Sequence, residues 1–230
     1  MKRLKLLVFI GSFACCGFLH AICADNVVLV HGNTGDANDW DNTYNRLLND
    51  GYAASQIFRP EWGSKSCAAC NDHSGSEETP VRNAISNAIA QSCTGKIDVI
   101  AHSMGVTLAA KQIIDLAQAS NVDAFVGIAG AYRGLLTCGV YPFNVLTPTC
   151  GRSGLSVSSP FLDWLYGRTV ATRTYSIKSW VDQVVCAAGS CLVYGVHSSR
   201  ISNENASFSY NYGHFGLQLY TDQKQVELIQ

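Results

Sequence analysis

Three observations predict an α/β fold with a mostly parallel, doubly wound sheet and helices on both faces. Runs rich in β-branched residues, at Val27–Val30, Ile97–Ile100, Val122–Ala129 and Thr174–Trp180, alternate along the chain with stretches whose apolar residues recur at helical spacing. Such alternation calls for right-handed crossovers, which leave successive strands parallel. The junction Lys96–Gly105, KIDVIAHSMG, passes straight from a strand pattern into a long apolar helix, as expected when the crossover packs directly on the sheet. Finally, 230 residues that are 47% hydrophobic suffice for one sizeable core, and no linker or internal repeat divides them.

The elements follow in order. Val27-Val28-Leu29-Val30 is a short strand that ends in His31-Gly32-Asn33. Trp40, Tyr44, Leu47 and Leu48 then lie on one helical face that stops at Gly51, and Gln56 to Arg59 reads as a second strand. The polar stretch Gly63 to Glu78 reads as a loop. Thr79 is an N-cap candidate with Pro80 as first helical residue, and Val81, Ile85, Ala88 and Ile89 give that helix its buried face. After the central strand, Val106 to Ala119 reads as one helix and Val122 to Ala129 as another strand. Gly130 to Arg173 is irregular. Thr174 to Trp180 is a strand with Asp182 at its end, and Leu217 to Ile229 closes the chain as a helix.

The first residues, MKRLKLLVFIGSFACCGFLHAICA, have a basic start, an apolar run from Leu6 to Leu19 and then small residues, the order of a secretory signal peptide. The expected organisation is a signal peptide over 1–24, cleaved after Ala21 or Ala24, and a single domain over 25–230. The apolar run is about a dozen residues, short of the roughly 20 a membrane span needs, so no transmembrane segment is expected in the mature protein. Removing Lys2, Arg3 and Lys5 from the 16 basic side chains leaves 13 against 17 acidic ones, with no basic run, which argues against nucleic acid as a partner. Ten cysteines in an exported chain point to disulfides. Cys67 and Cys70 have the spacing of a zinc half-site, but no second half completes it. Cys186 with Cys191 and Cys138 with Cys150 are the local bridge candidates. Cleavage after Ala21 keeps Cys23 and an even cysteine count, whereas cleavage after Ala24 leaves an odd one. Asn205-Ala206-Ser207 is a glycosylation sequon.

Chemistry points to Ser103. A serine on a tight strand-to-helix turn stands out of the top edge of the sheet, and only small residues, here Ala101 and Gly105, fit two positions either side. AxSxG arises by chance in about one chain of this length in ten, so the flanking strand and helix carry the inference. A serine needs a base, and the base needs an orienting carboxylate. Where such an elbow is used in α/β folds, chain order runs serine, acid, histidine. His197 and His214 lie downstream. His214, in the glycine-flanked YGHFG before the last helix, is favoured; His197, in a polar SSR context, reads as a surface residue. Asp182, just past a strand, is favoured as the acid over Asp163 and Asp222. Two backbone N–H groups should hold the oxyanion: that of Met104 at the start of the helix, and by position that of Asn33 after the first strand.

In chain order, LVHGNTG, DVIAHSMG, GIAGAYRG, Asp182 after SIKSWV, and GHFGL resemble the class 2 lipases, compact secreted bacterial lipases with secreted animal relatives. The resemblance runs from Val27 to the C-terminus. It implies a small α/β-hydrolase fold and hydrolysis of carboxylic esters of lipids. Ser103, Asp182 and His214 match the family triad, and Asn33 and Met104 match its oxyanion positions. Val106 stands where bacterial members carry a second glycine, and about forty residues separate Gly134 from the next strand, more than in the minimal form. Both departures are expected at the pocket rim.

The resulting expectation is a secreted, monomeric, triacylglycerol lipase-like serine hydrolase with no metal and no organic cofactor, working where lipid meets water. An esterase for short or non-lipid esters is the alternative within enzymes, and an inactive binding protein on the same fold is the alternative outside them. Val157 to Gly167 is the expected lipid-facing rim: Ser159 and Pro160 open a short helix, and Phe161, Leu162, Trp164 and Leu165 crowd its circumference with apolar surface.

Overall fold

The computed structural model describes residues 23–230, so the expected signal peptide lies almost wholly outside the described residues. Six strands form one parallel sheet: β1 Asn26–Val30, β2 Ile57–Phe58, β3 Ile97–His102, β4 Val122–Ile128, β7 Arg173–Lys178 and β10 Ala206–Ser209, in the spatial order β10-β7-β4-β3-β1-β2. From β1 the chain goes out to the edge at β2 and returns to β3 on the other side of β1. The switch point therefore lies between β1 and β3, where a parallel sheet offers its crevice for chemistry.

Both faces of the sheet are covered, which is why its strands read as near-continuous apolar runs. Val28, Val30, Val99, Ala101 and Phe125 point into one core with α2 Glu78–Gln91 and α3 Met104–Asp115. Val27, Leu29, Ile100, Val126 and Ile128 point into the other, against α1 Asp41–Asn49, α5 His214–Tyr220 and α6 Asp222–Glu227. Adjacent residues change face because side chains alternate across a strand. The long segment before β7 forms a small parallel pair, β5 Leu135–Val140 with β6 Ser156–Val157, followed by α4 Pro160–Leu165. Beyond β7, β8 Leu192–Val193 and β9 Val196–His197 make an antiparallel hairpin whose Tyr194 and Gly195 both adopt positive φ, as a tight hairpin turn demands.

Helix ends differ from the sequence expectation in three places. Helix α2 begins at Glu78, one residue before the expected Thr79 cap, and Pro80 sits inside the first turn, where its missing N–H is not needed. Helix α3 stops at Asp115 instead of running to Ala119. Ala117 takes φ 55°, its N–H donates to Ile114 and that of Gln118 to Ile113, a Schellman end that apolar periodicity does not signal. The closing helix is two helices, parted at Thr221, whose hydroxyl donates back to the Leu217 carbonyl. Strand β10 is an addition: a half-polar edge strand with little apolar pattern to announce it.

All eight described cysteines pair, as Cys23–Cys93, Cys67–Cys70, Cys138–Cys150 and Cys186–Cys191. Both local bridges expected from spacing are present, and the Cys67/Cys70 pair is a disulfide. No helix among the described residues is long and apolar enough to cross a membrane.

Candidate active site

Ser103 sits between β3 and α3 at φ 54° and ψ −130°, a conformation costing a non-glycine residue on the order of 1–3 kcal/mol and held only because its surroundings over-determine it. Its N–H donates to the Ile128 carbonyl at 2.8 Å. The turn has no spare room. A Cβ on Gly32 would lie 2.9 Å from the Ser103 Cβ, and one on Gly105 would run into the His31 carbonyl, so α3 can approach the end of β1 only with glycine at both places.

The structure brings Ser103, His214 and Asp182 into one hydrogen-bonded line. His214 Nε2 lies 2.9 Å from Ser103 Oγ, and Nδ1 lies 2.9 Å and 3.0 Å from the two Asp182 carboxylate oxygens. With Nδ1–H donating to the carboxylate, Nε2 is left as acceptor for the serine hydroxyl. Asp182 is buried, and its Oδ1 also accepts from the N–H groups of Val184 and Val185 at 2.8 and 2.9 Å. Burial pushes its carboxyl up, but the His214 contact and these two donors outweigh burial and hold it below the usual carboxylate range.

On the other side of the serine, Met104 N–H opens α3 and Asn33 follows β1; among the described residues neither N–H is taken by a loop carbonyl or a side chain. The Asn33 side chain is pinned from outside the site, donating to the Ala68 carbonyl at 2.9 Å and accepting from Asn71 at 2.6 Å. Buried His31 donates from Nδ1 to the Gly32 carbonyl and accepts at Nε2 from Trp62 N–H and from Lys65. Burial, with the Lys65 charge adding to it, lowers its pKa and keeps it neutral. A cavity of about 310 Å³ opens over the serine between Asn33, Thr34, Asp39, Val184, His214 and Phe215.

A family model described as lipase (class 2) matches residues 24–227 of this sequence. The chain belongs to the class 2 lipase family. A lipase is a carboxylic ester hydrolase. Solved structures agree on the fold. The chain resembles Aspergillus fumigatus lipase B at 21% identity and a TM-score of 0.57, covering 85% of this chain and 49% of that one, so it spans about half that protein's length. It matches a structure from the metagenome-derived lipolytic enzymes LipS and LipT at 17% identity and TM-score 0.60, over 91% of this chain and 95% of that one. The mature form of a Bacillus licheniformis lipase matches at 12% identity and TM-score 0.61, over 92% and 94%. No curated protein sequence matches.

Other expectations for this chain need correction. His197 is not a surface residue: it is buried, with Nε2 on the Ser179 carbonyl at 3.0 Å and Nδ1 accepting from Ser199 N–H. A polar sequence context misled because His197, itself on the β8–β9 hairpin, turns its ring onto the Ser179–Trp180 segment, with Trp180 edge-on at 4.9 Å. Asp163 is exposed on α4, and Asp222 pairs with Arg46. The expected rim at Val157–Gly167 does not line the serine cavity. Ser159 does cap α4 with Pro160 at its start, but Phe161, Leu162 and Leu165 turn into the core and Trp164 packs partly against it. Val106 is likewise fully buried rather than at the rim, its side chain filling the space left by Gly127 and Gly130.

Further supporting residues escaped sequence reasoning, among them Gln183 and His102. Gln183 accepts from His214 N–H at 2.8 Å, and its Oε1 lies so close to Gly213 that a side chain there would have to displace it. His102 Nε2 lies 3.2 Å from the His214 carbonyl oxygen and acts as the donor; burial, then the His214 charge, pushes its pKa down to about 3, so it stays neutral. Its place in AHSMG was the available signal.

Proposed function

We propose that this chain is a secreted serine lipase that cleaves carboxylic esters of lipids, triacylglycerol lipase-like, through Ser103, His214 and Asp182. The observation that carries the reading is the unbroken line from Ser103 Oγ through both nitrogens of His214 to the Asp182 carboxylate. His214 Nε2 takes the serine proton as Oγ attacks the ester carbonyl. The N–H groups of Asn33 and Met104 stabilise the oxyanion, a contribution typically of about 3 kcal/mol per donor. Collapse returns the proton from His214 to the leaving alcohol, and water, deprotonated by the same nitrogen, releases the carboxylate from the acyl-enzyme. Asp182 remains ionised throughout and fixes the imidazole tautomer.

Lipid is favoured over a soluble ester by the apolar side chains beside the triad. Phe215 lines the cavity and is 61% exposed, while Trp180 and Val181, also exposed, immediately precede Asp182. Export is supported by the four bridges. Cleavage after Ala21 is favoured, because cleavage after Ala24 would remove Cys23 and leave Cys93 without its partner.

Hydrolysis of p-nitrophenyl esters from acetyl to palmitoyl tests the reading. Turnover should persist on the long chains and fall by about 10³-fold or more in Ser103→Ala. Turnover of the shortest esters alone would favour the esterase reading. Binding of the long esters without turnover would favour the inactive binding protein.

A further inference from the structure

A second cavity, of about 340 Å³, lies between α4, the β8–β9 hairpin and the segment after β4, and it shares no lining residue with the cavity over Ser103. Its walls are mainly apolar or aromatic, with Leu162, Tyr166, Val193, Tyr194 and Val196 prominent. Into it faces Arg133, half-buried, whose Nε is shielded from water with no hydrogen-bond partner, and which has no carboxylate within ion-pair distance among the described residues. Its guanidinium rests near the face of Tyr166, 5.4 Å from the ring centroid. A buried donor without an acceptor is costly to keep, and arginine cannot escape by losing its proton.

We propose that this cavity binds the anion of a medium-chain alkyl carboxylic acid, with the carboxylate on Arg133 and the tail along the Tyr, Val and Leu walls. The planar guanidinium fork matches a carboxylate with two parallel hydrogen bonds. One cation, with the exposed carboxylate of Asp163 also on the lining, suits a monoanion and disfavours a phosphate dianion. The volume lies at the lower end of the roughly 300–1,000 Å³ of small-molecule sites, which limits the tail to medium length. Ester hydrolysis releases this class of molecule, so the proposed function supplies a source, but the binding itself requires no turnover.

Isothermal titration of the secreted protein with decanoate, below its micelle concentration, against 1-decanol as the neutral partner tests the site. Decanoate should bind at one site at least about tenfold more tightly than decanol, and Arg133→Gln should weaken decanoate at least about tenfold while leaving decanol unchanged. Tyr194→Ala, at an exposed wall position that does not endanger folding, should weaken both ligands. If Arg133→Gln does not fold, Tyr194→Ala decides alone. Equal affinity for the two head groups, decanoate binding indifferent to Arg133→Gln, or indifference of both ligands to Tyr194→Ala would overturn the proposal. So would binding that vanishes once an organophosphate occupies Ser103. Failure of Ser103 to react at all would count against the proposed function and leave this site standing on its own binding data.

Discussion

His102 Nε2–H donates to the carbonyl oxygen of His214 at 3.2 Å, so the residue before the elbow serine holds the backbone of the histidine that faces that serine. The two rings stand 4.8 Å apart, and neutral His102 adds no competing charge. A hydrogen bond of this kind contributes about 1 kcal/mol, so His102→Ala should lower kcat about five- to tenfold with KM little changed. Steady-state kinetics at several pH values checks this, and a change in KM alone would assign His102 to substrate binding.

Asp182→Asn should reduce kcat by on the order of 10³–10⁴-fold, because an amide no longer selects the tautomer with Nε2 free. In the unaltered protein the depressed Asp182 carboxyl contributes stability that is fully present above the unfolded carboxylate pKa of about 3.9 and is lost as pH falls through the lower folded value. Acid unfolding of Asp182→Asn, followed by circular dichroism, should lack that component.

Asp98 shows the opposite sign. It is buried on β3, accepting from Ala124 N–H at 2.9 Å, and burial, with Asp25 and Asp123 nearby, pushes its pKa up to about 8. A carboxyl raised in the folded state binds its proton better folded than unfolded, so stability declines as pH rises from about 4 towards 8. Asp98→Asn should remove that decline, gaining on the order of a few kcal/mol at pH 8 relative to pH 4 in denaturant titrations. An unchanged pH slope would contradict the placement of this proton.

Gly105→Ala adds one methyl group, and that methyl meets the His31 carbonyl. The substitution should cost at least about 2 kcal/mol and shift α3 away from β1, lowering activity as well as Tm. Thermal melts and ester turnover measured together separate this from a purely local effect.

Phe215→Ser and Trp180→Ser should lower activity on emulsified long-chain esters far more than on short soluble ones, with Tm little changed. Phe161→Ser, in contrast, should destabilise the protein by about 3 kcal/mol or more, because that ring belongs to the core.

The strands were legible where both faces are buried, as at Val27–Val30 and Ile97–Ile100, because an uninterrupted β-branched run next to a helix pattern fits little besides a buried strand. The positions of Ser103, Asp182 and His214 could be read because each stands at the end of an element with its own pattern. Trp62, Lys65, Asn71 and Gln183 could not, because they reach the site from loops whose course depends on the finished fold. Aromatic content at Phe161–Tyr166 announced burial or a surface role equally well; only packing decides which. His197 read as exposed since nothing local reveals that its hairpin turns the ring against Ser179 and Trp180.

Labelling with a fluorophosphonate, followed by mass spectrometry of the digested protein, tests the role of the Ser103–His214–Asp182 line most directly. One adduct per chain is expected, on the peptide that carries Ser103, absent from Ser103→Ala and formed at least about a hundredfold more slowly in His214→Ala. No adduct, an adduct on another residue, or labelling unchanged by His214→Ala would contradict it.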